Sequence, residues 1–247
     1  MDHLQPLPPG PGVARPATVQ VGGDRFRVAP WQGQRDVALL GPGRGTSTLS
    51  TRAIRSCVAD LTRVGVGRVF TPALTPIEVT PFLDAGFRVH ERLHLLSRDL
   101  TDLPAEAPPA TRPGRPWHRR SVLAIDHAAF APFWWFDDET LREARAATPT
   151  SRYRVVGPRG RIEGYAVTGR AGARGYLQRL AVHPDAQGRG LGRGLVLDAF
   201  HWLARRGVAL VMVNTQEANQ RALELYEGMG FARHSDGLVV LSYEPRP

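Results

Sequence analysis

A glycine-rich stretch is the part of this sequence whose residue types and spacing most directly predict chemistry. Gln187 to Gly194 reads Gln-Gly-Arg-Gly-Leu-Gly-Arg-Gly, after a predicted strand and at the start of a predicted helix. Glycines let an anion approach the backbone closely, and the first amides and the dipole of a helix favour negative charge. The two arginines of the stretch could pair with a diphosphate. The pattern therefore predicts a phosphate-binding loop.

Two common phosphate-binding motifs do not fit this loop. A Walker A loop ends in lysine followed by serine or threonine, and the sequence contains no lysine, since all 32 basic residues are arginine. A dinucleotide-binding fingerprint would need a glycine at Arg193. The spacing that fits is Gln187-x-x-Gly190-x-Gly192. The absence of lysine also excludes Schiff-base and pyridoxal phosphate chemistry.

The elements around the loop alternate between strands and helices. Apolar residues one turn apart, Leu195, Ala199 and Leu203, predict a helix over 192–205. Further helices are predicted over 134–147, with a start signal near Asp137–Asp138, and over 220–228. Strands are predicted over 152–156, 164–168, 175–182, 209–213 and 238–243. This order predicts an α/β fold with a mixed sheet, in which a helix crosses over between neighbouring strands.

Two motifs in this order resemble those of the GNAT acetyltransferase superfamily. Residues 180–184, Leu-Ala-Val-His-Pro, followed by Gln187-x-x-Gly190-x-Gly192, resemble the family's acetyl-CoA loop. Residues 219–231, Asn-Gln-Arg-Ala-Leu-Glu-Leu-Tyr-Glu-Gly-Met-Gly-Phe, resemble its second signature. The resemblance covers roughly 117–244, and within the superfamily this half is most similar to the ribosomal-protein N-terminal acetyltransferases. It implies a GNAT fold and an N-acetyltransferase that moves an acetyl group from acetyl-CoA, or another short acyl group from its acyl-CoA, to a primary amine.

The resemblance also implies roles for individual residues. Leu180, Ala181 and Val182 match the splayed strand whose backbone holds the pantetheine arm and polarises the thioester carbonyl. Asn219 matches a side chain that contacts the cofactor arm, and Tyr226 matches the residue that, in many members, protonates the leaving CoA thiolate. A phenol with a pKa of about 10 can donate to a thiolate of similar basicity. The residues that match the diphosphate cradle are Gln187, Gly188, Arg189, Gly190, Leu191, Gly192 and Arg193.

The general base is the least determined part of the implied site. In the ribosomal-protein enzymes a catalytic glutamate occupies the position that matches Asn214, and in other members a carboxylate occupies that of Gln178. Both residues are amides here, and an amide cannot accept a proton as a base. The departure argues against specificity for a ribosomal protein. The remaining candidates, acting directly or through water, are Glu163, Asp126, His127 and Glu217, and the amine could also lose its proton to solvent.

A run of aromatic residues is the second unusual feature. Residues 133–138 read Phe-Trp-Trp-Phe-Asp-Asp, where the family places the first helices that wall the substrate site. Four aromatic rings beside two acids suit an apolar or aromatic substrate that carries a cationic amine. Ordinary helix packing explains the run equally well. The candidate substrate contacts are Trp134, Trp135, Asp137, Glu163 and Asn214.

The N-terminal half resembles the C-terminal half in a reduced form. Residues 65–71 resemble 207–213, and residues 82–87 resemble 226–231, so Phe82 stands where the second copy has Tyr226. Phenylalanine has no proton to give, and the glycines of the loop are also replaced. We expect a degenerate, catalytically inactive GNAT-like half. The predicted division is a disordered lead-in over 1–23, this degenerate domain over 24–102, a proline-rich linker over 103–116, and the catalytic domain over 117–247.

Composition limits the possible partners. The net charge of +9 is spread over both halves, so it is a poor argument for a nucleic-acid partner. Solvated surface arginines explain it, and attraction to a polyanion such as the cofactor is the functional alternative. The single cysteine, Cys57, excludes a disulfide framework and a cysteine-based zinc site, and we predict no metal. We expect a cytoplasmic monomer or homodimer without a membrane partner.

Two functions remain open at this point. The first is acetylation of a primary amine on a small molecule, a peptide or a protein N-terminus. The second, suggested by the missing base, is a non-catalytic GNAT-like module that binds and senses acyl-CoA. The chain has no lysine side chain that could be acetylated, so the target is another molecule or the chain's own N-terminus.

Overall fold

The chain divides by its internal contacts into two compact units. The computed structural model describes residues 12–43, 45–46, 48–104, 106 and 110–245. The first unit consists of Met1–His94 and Ser235–Pro247, and the second of Leu95–His234. Among the described residues, none of the helices combines the length and the apolar character that a membrane span requires.

The described helices and strands follow each other closely along the chain. The helices are α1 (Thr51–Arg63), α2 (Pro76–Asp84), α3 (Arg119–Ala129), α4 (Asp138–Ala146), α5 (Leu191–Ala204) and α6 (Gln220–Gly228). The strands are β1 (Ala17–Val21), β2 (Asp24–Trp31), β3 (Gln34–Pro42), β4 (Arg68–Phe70), β5 (Arg88–Asp99), β6 (Arg112–Pro113), β7 (Thr150–Val156), β8 (Gly164–Ala171), β9 (Arg174–Val182), β10 (Leu210–Gln216), β11 (Ala232–Arg233) and β12 (Leu238–Tyr243). Short 3-10 turns lie at 116–118, 132–134 and 184–186. The predicted mixed α/β class is confirmed.

Both units repeat the same order of elements. In the first, β1, β2 and β3 are antiparallel, and α1 connects β3 to the parallel strand β4. In the second, β7, β8 and β9 are antiparallel, and α5 connects β9 to the parallel strand β10. A second helix then follows in each unit, α2 or α6. This shared order agrees with the partial internal repeat predicted from the sequence.

The core of the second unit explains how α5 is held beneath the predicted loop. Leu195, Ala199 and Leu203 are each at most 1% exposed, as the apolar periodicity predicts. Gly175 on β9 makes room for this helix, since a Cβ there would lie 2.6 Å from Leu203 Cδ1. The close contact packs the C-terminal end of α5 against the beginning of β9, the strand that precedes the loop.

One predicted segment begins where expected and another differs. Helix α4 begins at Asp138, near the predicted start, because Asp137 adopts an extended backbone and caps it by accepting a hydrogen bond from Thr140 N at 2.7 Å. Residues 134–136 of the predicted range lie before the helix. In the expected disordered lead-in, residues 17–21 form β1, where alternation buries Val19 and pairs it with Phe26. Residues 1–11 of that lead-in lie outside the described residues.

The predicted linker and domain boundaries remain a prediction. Within 103–116, Arg112–Pro113 pairs with β7, while residues 105 and 107–109 lie outside the described residues. The last strand, β12, pairs with β4 and with the Arg88–Leu93 part of β5, so by contacts it groups with the first unit.

Candidate active site

Strands β9 and β10 pair briefly and then separate. Their register runs from Arg174 opposite Leu210 to Tyr176 opposite Met212, whereas β9 continues to Val182 and β10 to Gln216. The predicted thioester-binding residues Leu180, Ala181 and Val182 therefore lie on the part of β9 that has no pairing with β10. Backbone groups on that side of the strand are available to a ligand, as the splayed strand of the predicted site requires.

A β-bulge accompanies this separation. Along β9, Leu177 lies opposite Thr168 and Arg179 opposite Val167, so Gln178 is the extra residue. Because of this extra residue, the side chains that follow Gln178 alternate out of step with those before it, so Leu177 and Ala181 lie on opposite faces of the sheet. Leu177 packs in the cluster of α5 and α6, whereas Ala181 packs with residues of α3 and α4.

The predicted diphosphate cradle has the backbone that an anion site needs. Gly188 and Gly190 both have a φ of 76°, in the left-handed region that favours glycine, and Gly190 is the N-cap of α5. A Cβ at either position would point into open space. The first backbone hydrogen bond of α5 is donated by Gly194 N to Gly190 O, at 2.9 Å. The amides of residues 191–193 precede it at the positive end of the helix and fit a diphosphate.

Three arginine side chains of the loop region are held by acceptors of the protein. Arg189 Nη1 lies 3.1 Å from each carboxylate oxygen of Glu163 and donates a hydrogen bond to Oε1. Arg193 donates from Nη2 to Glu106 at 2.7 Å, and Arg221, on α6, donates to Gln187 Oε1. Arg221 was not among the cofactor-binding residues predicted from the sequence. The one feature that could have indicated it is its position inside the second motif, residues 219–231. All three guanidinium groups lie where they could exchange these acceptors for phosphate oxygens.

Leu191, Gly192 and Gln187 hold the loop in place. Leu191 begins α5 and packs against the Val156, Val182 and Leu195 cluster. A Cβ on Gly192 would lie 3.2 Å from Leu225 of α6, so this glycine permits a close approach of the two helices. Gln187 Nε2 donates to Val182 O at 3.0 Å and ties the loop to the end of β9.

Helix α6 carries the other two predicted residues. Asn219 caps this helix, since its Oδ1 accepts a hydrogen bond from Ala222 N at 3.1 Å, which leaves the side-chain NH2 as a donor. Tyr226 is 6% exposed and packs edge-on against Phe231. Burial raises the pKa of Tyr226 to about 12, and the positive charge of Arg179 opposes that rise. The raised pKa keeps the hydroxyl protonated at neutral pH. Among the described residues, none accepts a hydrogen bond from this hydroxyl, so its hydrogen is available.

Two of the candidate bases are occupied by ion pairs. Asp126 is fully buried, and its four acceptor positions are taken by two nitrogens of Arg179, the amide of Phe136 and the hydroxyl of Tyr165. It cannot accept a proton from an amine, because no substrate can reach it. Glu163 is 4% exposed and forms ion pairs with Arg189 of the predicted diphosphate cradle and, at 3.6 Å, with Arg161. Its carboxylate is therefore held by two arginines.

The other polar candidates differ in access. His127 Nε2 lies 2.8 Å from the carbonyl oxygen of Phe136, so this nitrogen carries the hydrogen, and Nδ1 is the proton-accepting nitrogen of this exposed residue. Glu217 and Asn214 are exposed, at the end of β10. Gln178 has a buried Oε1 without a hydrogen-bond partner among the described residues. Glu217 is thus the candidate carboxylate open to solvent.

The aromatic run forms an ordered segment between α3 and α4, which we call the aromatic segment and define as residues 130–137. Trp135 donates from Nε1 to Phe130 O at 2.8 Å, and its ring stacks on His127 at 4.6 Å. Trp134 lies in a 3-10 turn and is half-buried, and Asp137 serves as the cap of α4. These contacts show a structural role for Trp135 and Asp137, and substrate contact by any of the three remains a prediction.

Arg179 is a second residue that sequence reasoning missed. It lies on β9 directly before Leu180 and is paired with Asp126 in the interior. The available signal was a charged residue directly before the apolar run Leu180–Val182 of a strand, since a buried charge requires a partner.

Comparison with known proteins supports the same assignment. The family model described as "Acetyltransferase (GNAT) family" matches residues 100–231, more than half of the chain. The mycothiol acetyltransferase of Thermomonospora curvata is 26% identical over 250 residues, which cover 98% of this chain and 78% of that protein. The mycothiol acetyltransferase of Rhodococcus jostii is 37% identical over 108 residues, which cover 41% of this chain and 33% of that protein, so this match spans about a third of its length.

Solved structures agree on the fold. A tandem GNAT protein from the clavulanic acid biosynthesis pathway has a TM-score of 0.65 at 16% identity, and the match covers 97% of this chain and 91% of that one. A GCN5-related N-acetyltransferase from Sphaerobacter thermophilus has a TM-score of 0.61 at 17% identity, covering 95% and 82%. The chain therefore has a tandem GNAT fold, belongs to the acetyltransferase (GNAT) family, and is an acetyl-CoA-dependent N-acetyltransferase.

Proposed function

We propose that the acceptor of this enzyme is the primary amine of a small molecule of the mycothiol class. The observation that carries the proposal is the similarity over 98% of the chain to a relative named mycothiol acetyltransferase. Other primary amines, including peptide N-termini, could undergo the same reaction, but neither of the two relatives matched by sequence above is named for them. The N-terminal half takes no direct part in the chemistry we propose.

The cofactor would be held by the loop, by α6 and by β9. In this proposal the amides of residues 191–193, with Arg189 and Arg193, bind the diphosphate, and Arg221 adds a third guanidinium group. The NH2 of Asn219 donates to the pantetheine arm. The cofactor supplies the acetyl group as a reactive thioester, and the unpaired backbone side of Leu180–Val182 polarises its carbonyl.

Proton transfer would involve Tyr226 and solvent. The Tyr226 hydroxyl donates its proton to the departing sulfur, for which a buried and fully protonated phenol is suited. The amine loses its proton to water, with Glu217 as the nearest kind of acceptor open to solvent. The rate at low amine concentration should then rise with pH toward the pKa of the amine itself. An inflection near the usual carboxylate pKa that persists with every amine would instead indicate that an exposed carboxylate, for which Glu217 is the candidate, accepts the proton.

A thiol-release assay tests the acceptor. Purified enzyme with acetyl-CoA is given three amines in turn: the non-acetylated amine form of mycothiol, tyramine, and a peptide with a free N-terminus. We expect kcat/KM to be highest for the first, and Gly190→Asp to abolish turnover and acetyl-CoA binding through clash and charge repulsion with the diphosphate. Equal or higher turnover of the peptide would overturn the small-molecule assignment. Tight acetyl-CoA binding by the wild type with no turnover of any amine would point to a sensing module.

A further inference from the structure

The ion pair of Arg179 and Asp126 is unusual for its burial. Arg179 is 9% and Asp126 0% exposed, and the pair is bidentate, with Nε to Oδ2 and Nη2 to Oδ1 both at 2.8 Å. Removing two charges from water costs more than a comparable apolar contact would, so such a pair is a poor device for stability alone. The fork of an arginine on a carboxylate does, however, fix geometry closely.

The acceptors and rings around this pair belong to the aromatic segment. Arg179 Nη2 donates to Trp134 O at 2.5 Å, and the amide of Phe136 donates to Asp126 Oδ1 at 2.7 Å. The guanidinium group lies between two rings, 3.6 Å from the centroid of Phe130 and 4.0 Å from that of Phe136. The segment is thus held at its beginning, middle and end by one ion pair.

The same pair is joined to the strand that would hold the thioester. Arg179 is the residue before Leu180 on β9, directly after the bulge, and Tyr165 of β8 donates its hydroxyl hydrogen to Asp126. The charge of Arg179 also opposes the rise that burial causes in the pKa of Tyr226, so it lies within electrostatic range of the proposed proton donor. Phe130 and Phe136 of the aromatic segment also pack in one apolar cluster with Ala181 of this strand, so the segment borders the predicted thioester site.

We infer that Arg179, through Asp126, is a positioning residue that holds the aromatic segment as the wall of the acceptor site and so sets the affinity for the amine. The inference rests on the proposed function, since the acceptor site is the one that the proposed reaction uses. Arg179 itself touches neither the amine nor the acetyl group. Its effect should therefore fall on KM for the amine and not on acetyl-CoA affinity.

The test uses conservative variants with a matched control. Arg179→Lys keeps the charge but loses the fork and the flat face that stacks between two rings. The control is Arg152→Lys, because Arg152 also forms a bidentate pair, with Asp198 at 2.8 and 2.9 Å, on β7 and away from the aromatic segment. Each full-length variant is measured for acetyl-CoA affinity, for KM and kcat with the non-acetylated amine form of mycothiol, and for hydrogen exchange of residues 130–137.

The expected result separates the two variants. Arg179→Lys should raise KM for the amine about tenfold, a size typical of a small misplacement, and speed exchange in residues 130–137, while acetyl-CoA affinity changes less than about twofold. Arg152→Lys should leave that KM and that exchange near wild type. If Arg179→Lys does not fold, Tyr165→Phe removes a single hydrogen bond to Asp126 and should shift KM and exchange in the same direction by a smaller factor.

Two outcomes would overturn the inference. One is a normal KM and normal exchange in Arg179→Lys, and the other is an equal change in both variants, which would indicate general loss of stability. The exchange measurement needs no substrate. If the wild type acetylates none of the amines, the proposed function fails, while slow wild-type exchange that Arg179→Lys leaves unchanged would separately refute the positioning role.

Discussion

Hydrogen-bond partners separate the two buried ionisable residues that were candidates for proton transfer, Asp126 and Tyr226. Asp126 is charged but surrounded by four donors, so it acts as an anchor and not as a base. Tyr226 is also buried, yet its hydroxyl remains available and its pKa of about 12 keeps it protonated. In the first unit the matching residue, Phe82, is 1% exposed and fills the core. One oxygen atom therefore distinguishes the proposed proton donor from its packed counterpart.

Replacing Tyr226 by phenylalanine tests the proton donor. We expect Tyr226→Phe to lower kcat about 10²-fold, the usual contribution of a positioned acid, while acetyl-CoA affinity changes little because the ring and its packing remain. Steady-state kinetics and calorimetric titration of acetyl-CoA measure the two effects. A large loss of acetyl-CoA affinity, with kcat unchanged at saturation, would mean that the residue serves packing of the cofactor site.

Among the elements, α6 shows how one side chain can serve both a helix and a ligand. Asn219 uses its Oδ1 to cap the helix, by accepting from Ala222 N, and its NH2 has no part in that bond. The cap fixes the side chain at the start of α6, and this orientation gives the NH2 group a defined direction.

A pair of substitutions separates these two uses. Asn219→Asp keeps the capping oxygen and should leave stability nearly unchanged, but it removes the donor and should weaken acetyl-CoA binding about tenfold. Asn219→Ala removes both the capping oxygen and the NH2 donor, so it should also lower the free energy of unfolding by about 1 kcal/mol. Urea unfolding and acetyl-CoA titration provide the two measurements. Equal acetyl-CoA affinity in wild type and Asn219→Asp would contradict the donor role.

The elements of the first unit have lost the features that would hold a cofactor. The start of α1 is occupied by the Asp24 carboxylate, which accepts from Ser50 N at 2.7 Å and from Ser50 Oγ at 2.6 Å. A negative side chain at this end of the helix repels a diphosphate. After β4, which has only three residues, Pro72 packs so closely on β3 that a Cβ at Gly41 would lie 2.7 Å from its Cγ.

On the scale of the whole molecule, these differences predict one cofactor site in two similar units. Titration of the full chain should give one acetyl-CoA bound per chain, and Gly190→Asp should reduce this to none. A stoichiometry of two, or one bound equivalent retained in Gly190→Asp, would mean that the N-terminal half binds acetyl-CoA in spite of Asp24.

The buried tyrosines predict how the stability of the whole protein responds to alkaline pH. Burial raises the pKa of Tyr153 and of Tyr226 to about 12, against about 10 in an unfolded chain. Between these values the unfolded state has lost protons that the folded state keeps, so the free energy of unfolding falls as pH rises from 10 to 12. The loss should be about 1 kcal/mol per tyrosine at pH 11. Urea unfolding at pH 9 and pH 11 measures it, and Tyr153→Phe should make the fall smaller.

The amino-acid sequence by itself determined the family, the cofactor class and most of the elements around the loop. Local signals suffice for these, because the glycine spacing, the apolar period of α5 and the motif of α6 each lie within a short run of residues. The strand β1 was not predicted, since it depends on a strand partner that composition does not reveal.

Tertiary structure alone decided which charged side chains are available. Asp126 and His127 were candidate bases in the sequence, and their partners, Arg179 and the Phe136 carbonyl, lie at positions that no spacing rule connects. Arg221 joins the loop for the same reason, through a contact with Gln187 across 34 residues. The state of an ionisable group depends on what surrounds it in space, and only the folded chain fixes those surroundings.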